Sequence, residues 1–242
     1  MLLASLGALL IGISKSGFAS GLGMLTTPLV ASAMPARDAI GLVLPLLCVA
    51  DVFTIGFYWK KWDAAVLKHP LAGAVLGIAM GMLVISRVSN RMLALSIGLV
   101  GVAMVVLLIV RGRWFPEAVY RPGAVDGILV GLAAGVSSAI AHAAGPIFAL
   151  FLLAQRMPKD AFVASNAVFF TVVNALKLPP YAMAGLFTAE TLRLDLRLLP
   201  LVPAGVLIGW TANRLLPQRH FDWVVQALLL LTSLQLVVSS LM

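Results

Sequence analysis

Lys15, Asp51, His142, Asn174 and Lys177 are the residues of this chain best suited to hold or move charge, and each lies within or beside a long apolar stretch. Lys15 stands in Ser14-Lys15-Ser16-Gly17 between two apolar runs, with Ser20, Gly21 and Gly23 just behind. An ammonium among hydroxyls, flexible glycines and helix N-terminal N–H groups suits a small anion. At membrane depth it costs about 3 kcal/mol or more and calls for an anionic partner or a watery cavity. In an ordinary turn it would only mark the cytoplasmic side. His142 occupies a second break, Ser137-Ser138-Ala139-Ile140-Ala141-His142-Ala143-Ala144-Gly145-Pro146. An imidazole titrates near pH 6.5, which suits proton exchange, although a lone histidine is also a common hydrogen-bonded structural residue.

Two polar stripes accompany the breaks. Asn166, Phe170, Asn174, Lys177 and Tyr181 recur at spacings of four, four, three and four, so they share one helical face that should point into a bundle. Lys177 either joins that face or snorkels to the nearby interface. Asn174, deeper, is either a ligand or an interhelical hydrogen bond. Asp51, Thr54 and Tyr58 form the corresponding stripe, and Asp51 is either a proton carrier or an ion-pair partner of Lys15 or Lys177. Asp126 suits the N-terminus of a helix, where a carboxylate favours the dipole.

The elements that position these residues follow from composition. The 242 residues are 62% hydrophobic and 11% charged, against about a quarter charged for a soluble domain. We expect an all-α polytopic membrane protein forming a single membrane domain over 1–242. Ten apolar segments fall at about 2–13, 22–33, 38–58, 67–86, 90–110, 124–138, 145–155, 160–180, 198–216 and 221–241. Six are long enough to cross, at about 20 residues per span. The first two of each half are short and suit a broken or re-entrant hairpin, whether it spans or re-enters. The excess of 17 Lys and Arg over 9 acids sits mostly in short loops, where it sets orientation rather than binding nucleic acid. Eleven basic residues, Lys15 included, fall on one side and six, Lys177 included, on the other. The central loop 111–123 is then cytoplasmic and both termini are extracytoplasmic. Met1 to Ile13 lacks a basic signal region and a cleavage site. Cys48 is alone, and no cluster has metal-ligand spacing, so no cofactor or metal is expected.

The halves repeat. Met34-Pro35 matches Met157-Pro158, and at the same spacing Asp51, Thr54 and Tyr58 match Asn174, Lys177 and Tyr181. After an insertion before Pro203, Gly73 and Gly77 match Gly205 and Gly209. Each half, about 1–110 and 124–242, would hold a hairpin and three transmembrane helices. An odd number of crossings inverts the second half, the usual ground plan for alternating access around a midplane site. The candidate anion-binding residues are Ser14, Lys15, Ser16, Gly17, Gly21, Ser137, Ser138, His142, Gly145, Asn174, Lys177 and Tyr181. His142 and Asp51 are the candidate proton carriers. No GxSxG, HExxH or paired intramembrane aspartate speaks for an enzyme.

On these residues the chain resembles the TauE/SafE sulfite exporter family. The likeness rests on Ser14-Lys15-Ser16-Gly17-Phe18 through Gly21-Leu22-Gly23, Pro28 and Met34-Pro35, then on His142-Ala143-Ala144-Gly145-Pro146, Phe151-Leu152-Leu153 and Asn174 through Lys177 to Pro180-Tyr181. Ala144 departs from a His-Ala-Gly-Gly-Pro pattern. The resemblance implies export of sulfite or small organosulfonates across the bacterial inner membrane, coupled to protons. A passive anion channel, or a carrier of another oxyanion or a carboxylate, is the alternative, and a homo-oligomer is left open.

Overall fold

Lipid offers backbone N–H and C=O groups no partner, so apolar runs of this length must satisfy them internally as helices. The computed structural model describes residues 2–15, 22–114, 122–155, 157–215 and 218–241. Among them are eleven helices and no strand: α1 (Leu2–Lys15), α2 (Leu22–Ala31), α3 (Ala36–Phe57), α4 (Ala64–Arg87), α5 (Asn90–Trp114), α6 (Ala124–Ala141), α7 (Gly145–Ala154), α8 (Lys159–Met183), α9 (Ala189–Leu198), α10 (Leu201–Leu215) and α11 (Gln218–Leu241). The protein is an all-helical polytopic membrane protein. Two short hairpins, α1–α2 and α6–α7, each precede a long helix that starts after a proline in extended conformation. Those prolines, Pro35 (φ −51°, ψ 139°) and Pro158 (φ −56°, ψ 146°), are the N-caps of α3 and α8. At both positions the fixed φ and missing N–H start a helix without wasting a donor.

The helices pair reciprocally. Gly73 and Gly77 of α4 lie against the carbonyls of Ile128 and Leu132 on α6, while Gly131 and Gly135 of α6 lie against those of Pro70 and Ala74. A Cβ at any of the four would strike backbone, so these parallel helices touch main chain to main chain, the contact that small residues permit in membranes. Gly12 of α1 and Gly205 of α10 meet in the same way, facing Val202 O and Leu9 O. The first helix of each half therefore packs on a later helix of the other. Between them α3 crosses α8, and Gly98 and Gly101 of α5 seat Ser233 of antiparallel α11.

The helices differ from the hydropathy segments in several places. Against the six spans expected, five helices among the described residues are long and apolar enough to cross: Ala36–Gly56, Ala64–Arg87, Asn90–Leu107, Ala124–Ala141 and Ala161–Met183. The segment at 124–138 gains three residues at its C-terminal end and becomes a span; 198–216 shortens to the 15 residues of α10. α11 begins at Gln218 and so takes in His220, and α5 carries the chain through Arg111 and Arg113 to Trp114. Residues 115–121 of the central loop lie outside the described residues.

The insertion before Pro203 folds as α9. Gly185, at φ 66°, ends α8 in the left-handed conformation that favours glycine, and the Thr188 hydroxyl then accepts from Thr191 N–H to start α9. Buried Thr191, Asp195 and Leu198 line one face at i, i+4 and i+7, against α3 and α1. Asp195 is 4% exposed, and neither carboxylate oxygen has a hydrogen-bond partner. Burial pushes its carboxyl up to about 7. Below about pH 4 the acid is protonated folded and unfolded alike; between about pH 4 and 7 only the unfolded chain releases the proton. Stability should fall with rising pH across that window and level off above it. Thermal unfolding of Asp195→Asn in detergent is expected to show a flatter profile over this window than the native protein. Gly131→Val, which drives a branched side chain into Pro70 O, should cost about 1–3 kcal/mol or more, while Leu76→Val on the exposed side of α4 should stay within about 1 kcal/mol, both by denaturant titration.

Candidate functional site

The ends of the first helices of both hairpins and the C-terminal halves of the two long helices α3 and α8 meet in one polar cluster. Lys15, the last residue of α1, forms an ion pair with Asp51 Oδ1 on α3. The other carboxylate oxygen, Oδ2, accepts from Asn174 Nδ2 on α8 at 2.6 Å. Asp51 is wholly buried and Lys15 nearly so, at 0% and 13% side-chain exposure. The Lys15 ammonium also lies 4.7 Å from the centre of the Phe170 ring, a cation–π contact one turn below Asn174.

Lys177 is also 0% exposed, so it does not snorkel. Its Nζ donates to Ser138 O (3.2 Å) and Ser138 Oγ (2.9 Å), and it lies 2.7 Å from His142 Nδ1. His142 Nε2 lies 3.1 Å from Ile40 O. A carbonyl only accepts, so Nε2 carries the hydrogen and a neutral ring offers Nδ1 to the lysine as an acceptor. Tyr181 donates its hydroxyl to Ala139 O, and its ring centre is 6.0 Å from that of His142.

Local backbone explains why a histidine stands there. α6 ends with His142 in the left-handed conformation (φ 52°, ψ 28°), which costs about 1 kcal/mol in a residue other than glycine. In return its N–H reaches Ser138 O and the Ala143 N–H reaches Ser137 O, closing the helix end. The imidazole is then held from both sides by Ile40 and Lys177. Ala144, 0% exposed, takes an ordinary helical conformation as the N-cap of α7, so its position asks for no glycine backbone. Lys15 and Lys177 each sit at the C-terminal, negative end of a hairpin's first helix, α1 and α6 respectively.

The sequence pattern of the family described as Sulfite exporter TauE/SafE matches residues 4–236. The chain belongs to this family. No curated protein and no solved structure matches it. As a TauE/SafE protein it is a membrane transporter of the sulfite exporter type, and the cluster at the two hairpin ends is its candidate site.

Not every expected residue of this TauE/SafE chain reaches the cluster. Lys15, Asp51, Ser138, His142, Asn174, Lys177 and Tyr181 are brought together. Ser137 lies alongside, its Oγ buried without a hydrogen-bond partner, and Gly145 begins α7 three residues beyond His142. Ser14 turns its hydroxyl back to Ile11 O at 2.8 Å. Ser16, Gly17 and Gly21 lie outside the described residues. In the first-half stripe Thr54 bonds back to Ala50 O and Tyr58 is the C-cap of α3, so only Asp51 enters. Asp126 is at the start of α6, accepting from Gly123 N–H at 2.7 Å. The backbone acceptors Ile40 O and Ala139 O had no signal in sequence, because any residue supplies a carbonyl. Asn166 could be found by its spacing, and its Oδ1 is buried without a partner.

Removing one member of a buried ion pair leaves the other charge uncompensated, at about 3–5 kcal/mol. Lys15→Met and Asp51→Asn should each lower stability by about that much, and the double variant should recover more than half of the summed loss. A denaturant-unfolding cycle in detergent checks this; additive losses would mean the contact contributes little.

Proposed function

We propose that the chain is a proton-coupled secondary carrier of sulfite or small organosulfonates that works by alternating access across the bacterial inner membrane. One observation carries this reading. Two lysines, Lys177 fully buried and Lys15 mostly so, share the cluster with one buried carboxylate, Asp51. With both lysines charged, the cluster holds one positive charge in excess where lipid surrounds the bundle. A bound anion would neutralise it, and the three oxygens of a sulfite or sulfonate group would accept from Lys15 and from hydroxyls such as Ser137.

Reciprocal packing supports the inverted repeat. α4 runs parallel to α6 and α5 antiparallel to α11, as two inverted halves require. Asp51 and Asn174, equivalent positions in the two halves, bond to each other, which fits a pseudo-two-fold axis passing between them. With Lys15 and Lys177 drawn into the cluster, the loop tally becomes ten basic residues against five, which strengthens the reading of a cytoplasmic central loop and external termini.

Purified protein in liposomes should accumulate sulfite and short alkanesulfonates against their gradient when a pH gradient is imposed. Flux that follows the anion's own gradient and ignores pH would indicate a channel. Absence of flux for every sulfur oxyanion would sink the proposal. Lys15→Ala should lower flux at least about tenfold, and the Lys15→Met/Asp51→Asn double variant keeps this test valid if the single variant unfolds.

A further inference from the structure

We infer that Lys177, rather than His142 or Asp51, carries the coupling proton, and that Ser138 and His142 are built around it to accept either protonation state. This rests on the carrier reading above. The inference starts from a contrast among the three buried titratable groups. Asp51 has both oxygens engaged, one by an ammonium and one by an amide. Protonating it would strip Lys15 of its only described anionic partner. His142 already gives its Nε2 hydrogen to Ile40 O, and a second proton on Nδ1 would point at the Lys177 ammonium. Neither can gain a proton without breaking a contact or facing a like charge.

Lys177 differs. Its described hydrogen-bond partners are two oxygens of Ser138 and one nitrogen of His142, all neutral. As an ammonium it satisfies all three with its three hydrogens. As an amine it keeps two hydrogens, for Ser138 O and His142 Nδ1. Its lone pair then accepts from the Ser138 hydroxyl, which need only rotate from acceptor to donor. One hydroxyl rotation therefore preserves every hydrogen bond in both states.

The charges around it supply the coupling. Among the described residues, the titratable groups facing Lys177 are Asp51 and Cys48 on α3, Lys15 at the end of α1, His142 at the end of α6, and Tyr181 one turn along α8. Of the other helices packed on α8, α4 has no ionisable side chain between Pro70 and Ser86, and α7 has none. Asp51 is committed to Lys15, so among the described residues the second ammonium has no counter-charge of its own without substrate. Loss of its proton to water removes the excess charge and leaves a neutral carrier able to return empty. An anion bound beside Lys15 favours the ammonium, so Lys177 takes one proton from water for each monoanion bound and releases it when the anion leaves. Anion and proton then travel together.

Methanesulfonate, a permanent monoanion, is a suitable probe. Binding heats measured in buffers of different ionisation enthalpy should show proton uptake by the native protein, approaching one per anion as the pH is raised. Proton uptake should persist in His142→Gln, whose side-chain oxygen can still accept from Lys177. Lys177→Arg, permanently charged, should still bind the anion but take up no proton. Should Lys177→Arg fail to fold, nitrogen NMR of the lysine-labelled native protein replaces it. Raising the pH without anion should move one buried Nζ resonance from ammonium to amine, and saturating methanesulfonate should return it. Proton uptake by Lys177→Arg equal to native, or a lysine that stays ammonium throughout, overturns the inference. Methanesulfonate transport without proton uptake by the native protein overturns it, removes the proton coupling and leaves an anion transporter standing; absence of both binding and transport removes the carrier reading as well.

Discussion

Asp51 ties the hairpin end at Lys15 to α3 through one carboxylate oxygen and to α8 through the other. In a protein with lipid around it, a buried charge has few ways to be satisfied, and each constrains the backbone that carries it. The ion pair requires α1 to end at the depth of Asp51. The Asn174 contact requires α3 and α8 to cross at that same level. Much else in the fold can be seen as the packing that brings these three helices together.

That packing relies on bare backbone. Where α4 meets α6 and α1 meets α10, glycines let main chain touch main chain, and a methyl group would already collide. Hydrophobic burial contributes little to helix association in lipid, so close van der Waals contact must hold the bundle. The two halves use equivalent glycines for this, Gly73 and Gly205. The polar centre, by contrast, has diverged. Where the first half has an acid, Asp51, the second has an amide, Asn174, and the second lysine stands one turn further along α8 on a seat made by Ser138 and His142. Matching glycines thus frame an unlike set of polar groups.

The left-handed backbone at His142 belongs to the same logic. A glycine would end α6 with less strain, but it would leave Lys177 without its nitrogen acceptor. Strain of this size persists where surrounding contacts fix the residue, and here Ile40 and Lys177 both do so.

Sequence alone determined the class of the protein, the two hairpins and most of the polar cluster. Composition requires a membrane fold, proline and glycine breaks mark the hairpins, and a spacing of three and four puts Asn174, Lys177 and Tyr181 on one face. These are local properties, set by periodicity and by the cost of polar atoms in lipid. It did not reveal α9, which is strongly amphipathic but poor in apolar residues, so a division of the chain by apolar runs passes over it, nor the true lengths of α6 and α10. Above all, it left Lys177 divided between interface and interior, and Asp51 divided between partners. Pairing depends on which helices cross and at what height, and residues more than a hundred positions apart share no local signal. Only the tertiary structure could give Asp51 to Lys15 and Asn174, and Lys177 to Ser138 and His142.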